Sequence, residues 1–214
     1  MIPKKLHFIW VGDESKMPTK CVQTWIDKNP EYEVKIWGNQ EAYDNRWINK
    51  SKMTDMFNKK DYAGVSDIMR YEILYEHGGV YVDVDSYCIN PLEDWLLGCE
   101  AFACWEQEIV RNNLIANGCI GGIPKAGVWK MCIDAISRID CTVSEKAWKI
   151  TGPQLLSDLF FKKRANLTVY PSHFFLPEHL TGHISNVTGH RFASHMWGSV
   201  NGYNQMDEKM EKKK

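Results

Sequence analysis

The residues best placed to do chemistry lie in one stretch, residues 66–92, SDIMRYEILYEHGGVYVDVDSYCINPL. Two carboxylates, Asp83 and Asp85, stand on either side of Val84. Carboxylate oxygens are hard ligands, and a pair of them on one rigid segment suits Mg²⁺ or Mn²⁺, whose other positions go to phosphate oxygens. Asp67 and Arg70 are three residues apart, so on a helix they share a face. A guanidinium fork at that position matches phosphate or hydroxyl oxygens. An isolated Asp-x-Asp most often just ends a strand and caps a turn. Here it follows an Asp-x-x-Arg face and a Gly78-Gly79 stop at close spacing, and that company favours a metal holding a diphosphate.

Those groups need a helix, a stop and a strand. Residues 61–77 read as a long helix whose buried stripe is Val65, Ile68, Met69, Ile73 and Leu74. Gly78 falls where a left-handed cap residue is usual. The strand after it alternates, with Val80, Val82 and Val84 on one side and Tyr81, Asp83 and Asp85 on the other.

Ser66-Asp67, Arg70, Leu74, Gly78-Gly79, Tyr81, Asp83, Asp85 and Leu92 together resemble the DXD region of glycosyltransferase family 32, the group with yeast α-1,6-mannosyltransferases and many bacterial capsule and viral enzymes. The segment is also similar to the nucleotide-sugar core of the large clostridial glucosylating toxins and to an N-terminal glycosyltransferase module of larger algal-virus enzymes. The likeness extends more weakly from the N-terminus to about residue 200. It implies a GT-A-type α/β domain with a mixed, mostly parallel central sheet and helices on both faces. It places Phe8, Ile9 and Trp10 around the nucleotide base, with Trp10 stacking on it. It puts Asp67 and Arg70 on the donor sugar's hydroxyls, Arg70 also near phosphate, and Val84 and Asn117 beside the donor. It makes His195 the third metal ligand and Trp197 a contact for the leaving phosphate or glycosidic oxygen. Read alone, Trp10 would be a core residue and His195 a structural histidine.

The expected activity is metal-dependent hexosyl transfer from a nucleoside diphosphate sugar to a glycan or glycoprotein acceptor, using Mn²⁺ or Mg²⁺. UDP-glucose is the favoured donor, because the Trp10 segment looks like that of UDP-glucose-using relatives. GDP-mannose comes next, then UDP-rhamnose or UDP-galactose. The family is mostly retaining; an inverting enzyme would need a carboxylate base, for which Glu106 and Glu108 are the candidates. A phosphohydrolase of the DxDx[T/V] type is disfavoured by Tyr87 after the second aspartate's spacer. A non-catalytic sugar-nucleotide-binding module would not need Asp83, Asp85 and His195 together.

The rest of the chain reads as alternating strands and helices. Strands are expected at 4–11, 32–37, 101–105 and 167–170, and helices at 18–29, 124–137 and 153–163, with short helical pieces in 39–59. The 124–137 helix is expected to turn Val128, Met131, Cys132 and Ala135 inward. The glycine-rich run 116–123 lacks phosphate-loop spacing. Thr151 is placed to cap the helix that Pro153 starts, near the acceptor side. A small antiparallel addition is expected near the C-terminus.

Composition sets outer bounds. The chain has 214 residues, 44% of them hydrophobic, enough for one sizeable core; residues 1–203 are read as one domain and 204–214 as a disordered tail. A formal net charge of −1 argues against nucleic acid as a partner. No apolar run reaches the roughly 18 residues of a membrane span, and the first residues lack the apolar core of a signal peptide. Seven cysteines without a CxxC pair suggest reduced thiols and a cytoplasmic setting, in the producing or a host cell. Sequons at Asn49, Asn166 and Asn186 would matter only in a secretory lumen. The short length also fits a module of a larger multidomain enzyme.

Overall fold

The structure, a computed structural model, describes residues 1–44, 46–140 and 145–203; the expected tail lies outside the described residues. In chain order the elements are β1 (Lys5–Ile9), α1 (Thr19–Lys28), β2 (Glu33–Trp37), α2 (Asn39–Tyr43), α3 (Lys50–Asn58), α4 (Tyr62–His77), β3 (Gly79–Val82) and β4 (Ser86–Cys88). They continue with β5 (Ala101–Trp105), β6 (Ile115–Gly122), α5 (Gly127–Ser137), α6 (Ala147–Ile150), α7 (Pro153–Lys163), β7 (Thr168–Tyr170), β8 (Ala193–His195) and α8 (Gly198–Asn201).

Six strands form one sheet in the order β2-β1-β3-β6-β5-β7. The β1–β2, β1–β3 and β5–β7 pairs are parallel, while β6 runs antiparallel to both its neighbours. A second, two-stranded antiparallel sheet pairs β4 with β8, which is the expected C-terminal addition. Helices cover both faces. On one, Ile68, Met69 and Leu74 of α4 join Trp129 and Cys132 of α5 and Leu156 of α7. On the other, Val22 and Trp25 of α1 pack with Val80, Val82 and Phe8. Valine alternation along β3 therefore chose its face as the sequence implied, with Tyr81 on the α4 side.

Helix α4 is organised around a nearly continuous buried run from Gly64 to Leu74 that includes Asp67 and Arg70. Asp61 caps its start by accepting the Gly64 N–H at 3.1 Å. Gly78 (φ 61°) and Gly79 (φ 101°) then turn the chain straight into β3. A Cβ on Gly78 would lie 2.6 Å from Pro124, so the turn needs both the conformation and the space.

Three expectations are corrected and one segment left unassigned is identified. The strand bearing the acidic pair stops at Val82, and Val84 and Asp85 lie in a turn that leads into β4. The glycine-rich run is the central strand β6; its glycines admit close neighbours, since a Cβ on Gly121 or Gly122 would collide with Phe102 or Trp129. Glycine's low strand propensity hid that strand. Helix α5 turns Val128, Trp129, Cys132, Ile133 and Ile136 inward, leaving Met131 and Ala135 half-buried. Thr151 does not cap α7, whose N-cap is Gly152; its hydroxyl is committed elsewhere. Among the described residues no helix is long and apolar enough to cross a membrane.

Candidate active site

A cavity of about 520 Å³ opens where β1 and β3 end and α4 passes beneath. Such volumes suit a small-molecule ligand. Ile9 and Trp10 line one part of it, Ser66 and Arg70 the floor, and Asp83, Val84 and Asp85 the far side, with His195 and Tyr203 from the C-terminal segment.

The acidic pair is held by main-chain geometry. The Asp83 N–H donates to the Gly118 carbonyl at 2.7 Å, and the Asp85 carbonyl accepts the Met196 N–H at 2.9 Å. Asp83 Oδ1 accepts the Tyr81 hydroxyl at 2.6 Å and lies 3.4 Å from Arg70 Nη1. Asp85 Oδ2 accepts the Gly198 N–H at 2.8 Å. Pairing of β8 with β4 puts His195 opposite Ser86 and so beside both acids. His195 Nε2 is 3.3 Å from Asp83 Oδ2 and 3.2 Å from Asp85 Oδ1. The Trp197 backbone nitrogen lies 3.0 Å from His195 Nδ1, and Nε2 faces the carboxylates.

These three side chains each offer a ligand atom within 4.8 Å of the others. Neighbouring ligands on an octahedron with bonds of about 2.1 Å are about 3 Å apart, so the spacing fits a divalent ion. A Cβ on Gly118 would come within 2.5 Å of Asp83 Oδ2, so the bare glycine leaves that carboxylate its place. With no ion present, burial opposes charge on His195, but Asp85 and Asp83 outweigh it and raise its pKa to about 10. Burial works against the Asp83 carboxylate too, yet Arg70, His195 and the Tyr81 hydroxyl hold it below the usual range.

Behind the cavity lies a second layer. Arg70 is 5% exposed, with its ring-facing guanidinium 4.3 Å from the Tyr81 centroid. It donates to the Asn117 carbonyl at 2.8 Å and to Ser66 Oγ at 3.0 Å, and pairs with Asp67 Oδ1 at 3.3 Å. Asp67 is buried, with Oδ1 accepting from Asn117 Nδ2 at 2.8 Å and Oδ2 from Thr151 Oγ1 at 2.9 Å. Burial raises its pKa to about 6, with Arg70, Thr151 and Asn117 pulling the other way. The Thr151-Gly152-Pro153 turn thus serves Asp67: a Cβ on Gly152 would sit 3.0 Å from Asp67 Oδ2.

Of the residues expected at the site, Ile9, Trp10, Arg70, Asp83, Val84, Asp85 and His195 line the cavity. Phe8 does not, because it points to the opposite side of β1 and is fully buried in the core. Asp67 and Asn117 stand behind Arg70. Trp197 stands behind His195, its indole N–H donating to the Glu178 carbonyl at 2.9 Å, so that donor is already used. Glu106 and Glu108 do not reach the cavity: Glu106 is buried against His179 at 3.2 Å, and Glu108 accepts from the Ser172 backbone and hydroxyl. The sequon Asn49 is buried, with its amide on the Ile133 carbonyl. The reading of the sequence gave no role to Tyr81 or Ser66; the alternation that placed Tyr81 on the Asp83 side was the available signal.

Residues 15–102 match the family described as the glycosyltransferase sugar-binding region containing a DXD motif. Subversion of eukaryotic traffic protein A of Legionella pneumophila is 30% identical over 154 residues, 56% of this chain and 22% of that one. The initiation-specific alpha-1,6-mannosyltransferase of Candida albicans is 29% identical over 119 residues, 46% of this chain and 28% of that one. The chain spans roughly a quarter of the length of these two curated relatives. Among solved structures, the PaToxG glycosyltransferase superposes with a TM-score of 0.61 at 16% identity, covering 76% of this chain and 70% of its own. The UDP-bound glycosyltransferase domain of the YGT toxin gives 0.53 at 11% identity, covering 78% and 79%. The galactosyltransferase LgtC, solved with donor and acceptor sugar analogs, gives 0.51 at 12%, covering 95% and 94%. These likenesses establish a GT-A glycosyltransferase fold, and over residues 15–102 the chain is similar to the DXD-containing glycosyltransferase family.

Proposed function

We propose that residues 1–203 form one catalytic domain that transfers a hexose from a nucleoside diphosphate sugar to a glycan or glycoprotein acceptor, in the cytoplasm. The observation that carries this reading is the meeting of Asp83, Asp85 and His195 on a cavity that Arg70 also lines. Those three residues would hold the divalent ion. A mixed oxygen and imidazole set favours Mn²⁺ over Mg²⁺. The bound ion supplies Lewis-acid stabilisation of charge on the departing diphosphate.

The chain's own residues do the rest. Trp10 and Ile9 line the part of the cavity that takes the base, with the Trp10 indole N–H anchored on the Asp13 carbonyl at 2.8 Å. Arg70 presents a fixed positive charge toward the diphosphate and sugar. Both Asp67 oxygens are engaged by protein donors, so Asp67 holds Arg70 in orientation rather than taking up sugar hydroxyls. Fixing the reactants in this way supplies orientation, which lowers the barrier without chemistry of its own. Glu106 and Glu108 are occupied outside the cavity, so neither is placed to act as the base an inverting enzyme would need.

UDP-glucose is the first-choice donor, supported by the Trp10 segment and by the fold shared with a UDP-bound toxin domain. A GDP-mannose donor is favoured by the mannosyltransferase relative. Thermal-shift measurements with Mn²⁺ and each donor decide between them. The largest stabilisation is expected with UDP-glucose; a larger one with GDP-mannose reverses the donor choice, and none with any sugar nucleotide refutes the reading.

A further inference from the structure

Outside the cavity, a buried carboxylate–imidazole pair is used by no step proposed above. Glu106 and His179 are 7% and 3% exposed. The Thr181 N–H donates to His179 Nδ1 at 3.3 Å, so the ring proton sits on Nε2 and donates to Glu106 Oε1 at 3.2 Å. A carboxylate taken out of water costs stability unless it is paired. A site needing only bulk would hold apolar side chains.

What the pair touches is the metal segment. The His179 ring packs edge-on against Trp197, with centroids 5.4 Å apart at 73°. The carbonyl of Glu178, next in the chain to His179, accepts the Trp197 indole N–H. Trp197 in turn packs on His195, with ring centroids 4.6 Å apart. Trp197 has a left-handed backbone (φ 55°, ψ 47°), unfavourable for a bulky residue, so surrounding contacts must hold it there. The 178–185 loop is itself fixed, with His179 N–H on the His183 carbonyl at 2.9 Å and Ser185 N–H on the Pro177 carbonyl at 2.8 Å.

We infer that Glu106 and His179 are positioning residues for the metal site: the pair locks the 178–185 loop, the loop locks Trp197, and Trp197 aims the His195 ring at the ion. This rests on the metal reading of Asp83, Asp85 and His195. Changing outer partners of a ligating histidine typically lowers metal affinity about ten- to a hundredfold.

The test is Mn²⁺ binding to the donor-free protein, followed by electron paramagnetic resonance, with nitrogen coupling from the bound ion reporting on His195. Glu106→Gln keeps an acceptor for the His179 N–H, so affinity and nitrogen coupling near wild type are expected. His179→Ala should weaken Mn²⁺ about ten- to a hundredfold and erase the nitrogen coupling, while Asp83 and Asp85 still hold some ion. His179→Gln, which keeps a donor for Glu106 but not the ring against Trp197, gives the same readout should the alanine variant not fold. Wild-type affinity and coupling in either folded His179 variant would overturn the positioning role alone. A wild-type protein that binds no Mn²⁺ would overturn the metal reading and the inference with it.

Discussion

His195 Nε2 lies 3.3 Å from Asp83 Oδ2 across 112 residues of chain. The two meet because β8 pairs with β4, directly after the turn that carries the acids. The small sheet is thus a clasp, joining a C-terminal imidazole to a site built near the middle of the sequence. Replacing His195 by Ala removes the nitrogen ligand and leaves two carboxylates. Mn²⁺ affinity should fall at least about tenfold in calorimetric titration, with the melting curve of the metal-free protein still cooperative.

Gly118 has no left-handed backbone to excuse it, yet a Cβ there would reach within 2.5 Å of Asp83 Oδ2. Gly118→Ala should therefore push the carboxylate out of position. The expected result is loss of metal binding and transfer from a chain that still folds. Unimpaired Mn²⁺ binding in this variant would show that Asp83 does not ligate from its observed place.

Tyr81 donates its hydroxyl to Asp83 Oδ1 at 2.6 Å and helps keep that carboxylate ionised. Tyr81→Phe keeps the ring under Arg70 and deletes one charge-assisted hydrogen bond, a loss of about 1.5–3 kcal/mol. We expect kcat/KM to fall at least about tenfold, measured at saturating Mn²⁺.

Asp67, Arg70, Asn117 and Thr151 form a buried network in which every Asp67 oxygen has a donor. Removing one member of such an ion pair leaves the other charge stranded, at a cost of about 3–5 kcal/mol. Asp67→Ala should unfold at clearly lower denaturant and lose donor binding. Thr151→Val deletes one hydrogen bond to the carboxylate and should cost less, about 1.5–3 kcal/mol. Equal effects from the two would contradict the ranking.

The acids, Arg70, the glycine stop and the two-face arrangement of β3 were legible because each has a local signature: spacing on a helix, a positive-φ glycine, alternating valines. Strand β6 was not legible, because its glycines answer to Phe102, Trp129 and Asp83, which are distant in sequence. The same holds for Thr151, whose position before Pro153 looks like a cap while its hydroxyl is drawn to Asp67, 84 residues away. Phe8 sits next in sequence to the cavity residue Ile9, and only strand direction and burial separate lining from support. Glu106 looked like a loop acid until its partner His179 was seen.

Stability should also report on His7. Its Nδ1 accepts the Trp37 indole N–H at 3.3 Å and its Nε2–H donates to the Gly78 carbonyl at 2.9 Å, so the neutral ring is the one that fits. Burial pushes its pKa down to about 4, with His77 and Lys5 adding to the effect. Between that value and the ordinary 6.5 the unfolded chain binds more protons than the folded one. The contribution of the neutral ring is therefore present above pH 6.5 and is lost as pH falls through 4. At pH 5 the loss is about 2 kcal/mol, and His7→Gln should flatten that part of a chemical-denaturation pH series.

The central claim, that Asp83, Asp85 and His195 hold an ion needed for sugar transfer, is tested most directly by turnover of UDP-glucose and GDP-mannose after chelation. The account predicts that EDTA abolishes release of nucleoside diphosphate, that Mn²⁺ restores it, and that Asp85→Ala, folded, is not restored. Undiminished turnover in EDTA, or rescue of that variant by Mn²⁺, would contradict it.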